Sequence, residues 1–162
     1  MNPQFAAFAA QMKSPLKFRL FMLSKLPSAF FAGLRVHDLT PQQSVIQVRE
    51  KWFNKNPFRS MYFAILSMAA EVCTGALCWG AIYKTNPAIS MLLVKMDGEF
   101  YKKANGIILF TCTDGNAIQD AVATALATNE GVVVNCHATG TNQAGEIVAA
   151  FNFTWSFKTR IK

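Results

Sequence analysis

Apolar residues recur along this chain in three different rhythms. The first 33 residues form short mixed blocks: FAAFAAQMK runs up to Ser14-Pro15, LKFRLFMLSK stops before Pro27, and PSAFFAG closes on Gly33. Ser before Pro starts a helix well, and Gly ends one, so three short amphipathic helices are expected here. From Leu34 the rhythm changes to alternation. LRVHDL and SVIQVREKW, separated by Thr40-Pro41, read as two strands. Beyond a Thr85-Asn86-Pro87 break, MLLVKMDGEFYKK and GIILFTCT read as two more. A helix is expected over 115–129, with Asp114 as its N-cap and Ile118, Val122, Ala125 and Leu126 as its apolar stripe. VVVNCHAT and EIVAAFNFTWSFK close the chain as strands. In the last, Ile147, Ala149, Phe151, Phe153, Trp155 and Phe157 share one face, a strong period-two signal.

The third rhythm is continuous. Residues 61–83, MYFAILSMAAEVCTGALCWGAIY, are almost wholly apolar and carry one charge, Glu71. That length suffices to span a bilayer. A lone carboxylate near the centre is costly in lipid, however, and the alternating strands around the segment need something to cover their apolar faces. A buried core helix is therefore expected, giving an α+β fold in which the long helix is the core of a curled sheet, with N-terminal helices and one extra helix. The expected division is a helical arm over 1–33 and a sheet-and-helix domain over 34–162, one domain overall.

Composition sharpens this picture. Hydrophobic residues make up 52% of the 162 and charged residues 15%, so the chain has ample apolar surface to order itself. The net charge of +7 is unevenly placed. Residues 1–60 hold nine Lys or Arg against Asp38 and Glu50, whereas the remainder is balanced. An anionic partner near the N-terminal third is implied: phosphates, lipid headgroups or nucleic acid. Nucleic acid fits worst, since there is no zinc-finger spacing, Arg-rich block or RNP-like strand. The basic helices read either as an arm packed on the domain or as a membrane-surface element. No metal site is expected: Cys73 and Cys78 diverge around a helix, and Cys136 and His137 point to opposite strand faces. Buried free thiols, and a first basic residue that follows FAAFAA rather than preceding it, suit a cytoplasmic protein. His37 and His137 read as ordinary strand residues.

On a helical wheel Glu71 shares its face with Ser60, Ala64, Ser67, Met68, Thr74, Gly75 and Cys78, a stripe of mostly small or polar side chains. Two readings follow. Either backbone N–H groups or a basic residue tie the carboxylate down, or it is a general base or nucleophile in a mostly apolar pocket.

NKNPFRSMYFAILSMAAEVCTG, residues 54–75, closely resembles the signature of a family of thioesterase-like proteins with the hot-dog fold, long catalogued as a domain of unknown function. The fit extends to SKLPSAFFAGLRV upstream and FYKKA downstream. More remotely the segment is similar to phenylacetate-pathway-type acyl-CoA thioesterases, with their pattern N-P-x-G-x-x-H-G-G-x-x-x-x-L-A-D. Asn56 and Pro57 match its start, and Glu71 falls at its catalytic Asp. The resemblance implies a hot-dog fold, a homodimer or dimer of dimers with active sites at the interface, and an acyl-CoA thioesterase-like hydrolase. In that scheme Glu71 activates water or attacks the thioester, Asn56 orients water or carbonyl, and the helix start at Tyr62 and Phe63 offers N–H donors; without the resemblance, the Asn54/Asn56 pair before Pro57 reads as turn chemistry. Ser67 and Thr74 would flank the substrate. Lys102 and Lys103 would meet coenzyme A phosphates, or else form a solvated strand end. No cofactor is implied beyond the coenzyme A thioester as substrate, and an acyl carrier thioester is the other candidate. Three departures stand out: Tyr62-Phe63-Ala64 replaces H-G-G, Arg59 replaces a Gly, and the helix at 115–129 interrupts the usual strand order. The rival reading is a non-catalytic protein that binds an acyl chain or acyl thioester.

Overall fold

The alternation in the last strand becomes the backbone of the core. In the computed structural model, which describes residues 1–160, the final strand β6 (Ile147–Thr159) buries Phe151, Phe153, Trp155 and Phe157 while Asn152 and Lys158 stay exposed. It pairs antiparallel on both sides, with β5 (Val132–Thr141) and with β3 (Ile89–Phe100). The sheet is completed by β1 (Arg35–Leu39), β2 (Ser44–Arg49) and β4 (Ile107–Cys112) in the order β1-β2-β4-β5-β6-β3, all neighbours antiparallel. Its two edges are thus β1 and β3.

The apolar segment forms α4 (Phe63–Ile82), lying against the sheet. Its Ala69, Ala70, Cys73, Leu77 and Cys78 are fully buried, and the small alanine and cysteine side chains let strands approach closely. The helix is long and apolar enough to cross a bilayer, yet 61% of that stretch is buried inside the protein. One side of α4 is left half-buried: Ser67, Met68, Glu71, Val72, Gly75, Ala76 and Trp79. The sheet therefore wraps most of the helix, not all of it.

Three helices precede β1: α1 (Phe5–Lys13), α2 (Pro15–Lys25) and α3 (Pro27–Ala32). Gly33 ends α3 in the left-handed conformation (φ 77°), as its position after PSAFFA anticipates. Phe8 and Phe21 each stand 5.1 Å, ring to ring, from Trp79, and the Asn2 side chain donates to Gly80 and Tyr83 carbonyls (3.0 and 2.9 Å). The arm is thereby packed onto the half-buried side of α4. The extra helix α5 (Gly115–Thr128) buries Ile118, Val122 and Ala125 as its pattern implies.

Several local expectations are corrected. Asp114 precedes α5 but its side chain does not cap it; the carboxylate instead accepts the His137 backbone N–H at 2.6 Å. The second strand stops at Arg49, and Trp52–Asn54 form a 3-10 turn. β3 ends at Phe100, because the Tyr101 and Lys102 N–H groups both turn to the Val148 carbonyl (2.9 and 3.3 Å). Ser60 lies before α4, so it does not share the helical face of Glu71. Residues 161 and 162, the end of the expected 34–162 domain, fall outside the described residues.

Candidate active site

The segment 54–61 is organised by its two asparagines. Asn54, fully buried, donates to the carbonyls of Ala32 and Arg49 (2.9 and 2.8 Å), tying the arm to the end of β2. Asn56 spends its side chain on its own turn. Its amide donates to Ser60 Oγ and the Met61 carbonyl (3.2 and 3.4 Å), and its Oδ1 accepts the Phe58 N–H at 2.9 Å. This is turn chemistry, as asparagines before Pro57 suggest, and both amide hydrogens of Asn56 have acceptors inside the turn. Arg59 sits in the same turn at φ 59°, a conformation that suits glycine, so the residue that departs from the remote pattern bears the strain.

That turn delivers the chain into α4 at Tyr62 (φ −65°, ψ 134°). The Phe63 and Ala64 N–H groups have no backbone acceptor among the described residues, as expected of a first helical turn. Tyr62 and Phe63 are about half exposed and stack edge-to-face at 4.9 Å. With Asn56, Lys102, Lys103 and Phe100 they line a surface cavity of about 580 Å³. Lys103 donates to the Phe58 carbonyl at 3.2 Å, and Lys102 is paired with Glu146 on the surface, lowering the Glu146 pKa chiefly through that hydrogen bond.

Glu71 is elsewhere. It lines an apolar cavity of about 600 Å³ between α4, the arm and both edges of the sheet, with Phe18, Phe21 and Met22 of α2, Val36 of β1 and Met91 of β3 as walls. Its carboxylate has no hydrogen-bond or ion-pair partner among the described residues, and its oxygens are not sealed in. Burial alone pushes its pKa above the ordinary carboxylate value. Lys25 and Arg160 line the same cavity. Gly75, one turn on, leaves the space Glu71 occupies: a Cβ there would come within 3.3 Å of Oε1.

The predicted site residues thus divide in two. Asn56, Tyr62, Phe63, Lys102 and Lys103 gather at the start of α4, and Glu71 lies eight residues, about 12 Å, along the helix. Thr74 faces neither group; it is buried, donates to the Glu71 carbonyl (3.2 Å) and accepts from Trp155 Nε1 (3.0 Å). Ser67 returns its hydroxyl to the Phe63 carbonyl at 3.1 Å. The contribution of α2 to the cavity wall was not anticipated, although Phe18, Phe21 and Met22 carry the i, i+3, i+4 spacing that could have shown it.

A family model described as a domain of unknown function, DUF4442, matches residues 16–157. The chain belongs to the DUF4442 family. No protein of curated function matches it in sequence. Solved structures do match this DUF4442 chain in shape. A Pseudomonas aeruginosa protein of unknown function, described as a probable thioesterase, is 20% identical with a TM-score of 0.76, over 93% of this chain and 99% of that one. A Chlorobaculum tepidum protein of unknown function is 14% identical at the same TM-score and coverage. A Haemophilus influenzae thioesterase is 8% identical with a TM-score of 0.65, over 88% and 90% of the two chains. The fold of this family member is the hot-dog fold, a long helix against a curved six-stranded antiparallel sheet.

Proposed function

We propose that this protein hydrolyses an acyl thioester, with Glu71 as the general base. What carries the reading is the unpartnered carboxylate in an apolar cavity, because a chain keeps such a group against its desolvation cost mainly where chemistry needs it. Glu71 takes a proton from water as the oxygen adds to the thioester carbonyl carbon. The carbon–sulfur bond then breaks, and the thiolate leaves with that proton. The cavity walls hold the acyl chain, and the free N–H groups of Phe63 and Ala64 receive the developing oxyanion.

Glu71 and those N–H groups are about 12 Å apart in one chain, so the reading requires two copies. Support comes from β3, an unpaired edge of twelve residues on which Leu92, Val94, Met96 and Phe100 are 67, 57, 44 and 50% exposed. Such an edge invites pairing with a second copy, which would bring one helix start towards the other protomer's Glu71. Lys103, together with Lys102 once released from Glu146, would meet phosphates of coenzyme A or of an acyl carrier.

The full occupation of the Asn56 side chain favours a second reading, a protein that binds an acyl thioester without cleaving it. Thiol release from a panel of acyl-CoA thioesters separates the two. Turnover that disappears in Glu71→Gln supports the hydrolase. Binding of acyl-CoA by both proteins without turnover at any chain length assigns the binding role instead.

A further inference from the structure

Helix α2 has two apolar faces. Phe18 and Met22 are buried, with Phe21 half-buried beside them, and all three wall the Glu71 cavity. On the opposite face Leu16, Leu20 and Leu23 are 70, 59 and 48% exposed. Their spacing of four and three places them in one outward stripe, with Lys17 on one flank and Arg19 on the other. Next to this stripe the positive charge is concentrated. Arg19 and Arg35 stand close enough to Lys51 to reinforce burial in lowering its pKa, and the Arg19 guanidinium lies 4.7 Å above the Phe30 ring. Lys13 is paired with Asp38, but Lys17, Arg19, Arg35 and Lys51 have no acidic partner among the described residues. Three exposed leucines flanked by Lys17 on one side and by the Arg19, Arg35 and Lys51 cluster on the other suit insertion into a soft anionic interface better than a shaped protein pocket.

We propose that the outer face of α2 docks this protein on an anionic membrane surface, with Leu16, Leu20 and Leu23 inserted at the headgroup boundary and Lys17, Arg19, Arg35 and Lys51 on the lipid phosphates. Since the inner face of the same helix roofs the cavity, docking sets that cavity against the source of acyl chains. The proposal does not depend on hydrolysis, and its failure would leave the thioesterase reading standing.

The test is co-sedimentation of the full chain with phosphatidylcholine vesicles made with and without phosphatidylglycerol. Binding is expected only with the anionic lipid and is expected to weaken as salt rises. Leu16→Gln/Leu20→Gln, which keeps helix propensity, should lower affinity about tenfold or more. Lys17→Gln should lower it about fivefold. Lys158→Gln, on the outer face of the sheet, should leave it unchanged, and all variants should unfold at the wild-type midpoint. No binding to anionic vesicles, or equal binding to neutral ones, overturns the proposal. So does a loss in Lys158→Gln as large as in Lys17→Gln, which would reduce the effect to net charge. If sedimentation equilibrium shows that Leu16→Gln/Leu20→Gln dissolves a dimer, the face belongs to a second copy and the proposal also fails.

Discussion

Glu71→Gln is expected to make the protein more stable at neutral and higher pH while removing its activity. The carboxylate is half-buried, has no partner among the described residues, and fills the space beside Gly75. Its folded pKa is raised by desolvation, so the native state holds the proton more tightly than the unfolded chain does. The stabilisation this provides is complete below the ordinary carboxylate pKa and is lost as pH climbs through the raised folded value. A partly buried, unpartnered carboxylate implies a penalty on the order of 1 kcal/mol above the transition. Glutamine has nearly the same shape and never ionises, so it escapes the penalty. Urea unfolding at matched protein concentration should show Glu71→Gln ahead by about 1 kcal/mol near pH 8, or about 2–4 °C in Tm, and level with wild type near pH 4. A variant less stable than wild type near pH 8 would mean that the carboxylate has a partner in solution. The argument from an idle buried charge would then collapse.

Three further outcomes are expected. Asn54→Ala removes two buried donors to the Ala32 and Arg49 carbonyls while its unbonded Oδ1 contributes nothing, so denaturant unfolding should show a loss of about 2–4 kcal/mol. Arg59→Gly relieves a left-handed backbone and should stabilise by about 0.5–1 kcal/mol, read from the same curves; a loss would show that the Arg59 side chain matters more than its φ. Met96→Lys on the exposed β3 edge should shift sedimentation equilibrium towards monomer and lower thiol release in parallel; an unchanged oligomer would place the dimer contact on another surface.

Much of this fold was legible because burial repeats at the period of the backbone. The alternation of Ala149 through Phe157, the stripe of α5 and the continuous apolar run of α4 each appear as strand or helix at nearly the expected limits, whereas Ile147, expected on the same face, is exposed beside the register shift at Gly140/Thr141. What failed was decided by neighbours distant in sequence. Asp114 sits where an N-cap belongs, but the His137 N–H reaches it first, and Lys102 leaves β3 because Val148 offers its carbonyl. The site shows the same division. Glu71 stands out as the only charge in an apolar helix, a one-dimensional signal. The Asn56 side chain is held by partners two to five residues away, which a turn before Pro57 makes local, whereas the pairing of Thr74 with Trp155 depends on a three-dimensional neighbour that no spacing encodes.

The separation along α4 gives the shared-site reading a quantitative consequence. If Glu71 of one protomer works with the helix start of the other, defects at the two places must complement when placed in different chains. Phe63→Pro is a suitable second defect: proline is tolerated at the first helical position, where it deletes one free N–H, and Tyr62, at φ −65° and ψ 134°, already has the backbone that precedes proline. Each variant alone should be inactive. Unfolded together and refolded at equal concentrations, half of the dimers would be mixed, and each mixed dimer would hold one doubly defective site and one intact site. Thiol release should therefore recover to about a quarter of the wild-type rate. If Glu71 instead acts with the start of its own helix, every site carries one defect whatever its partner, and mixing recovers nothing. Recovery near a quarter requires that the two cavities of a single chain be halves of different active sites.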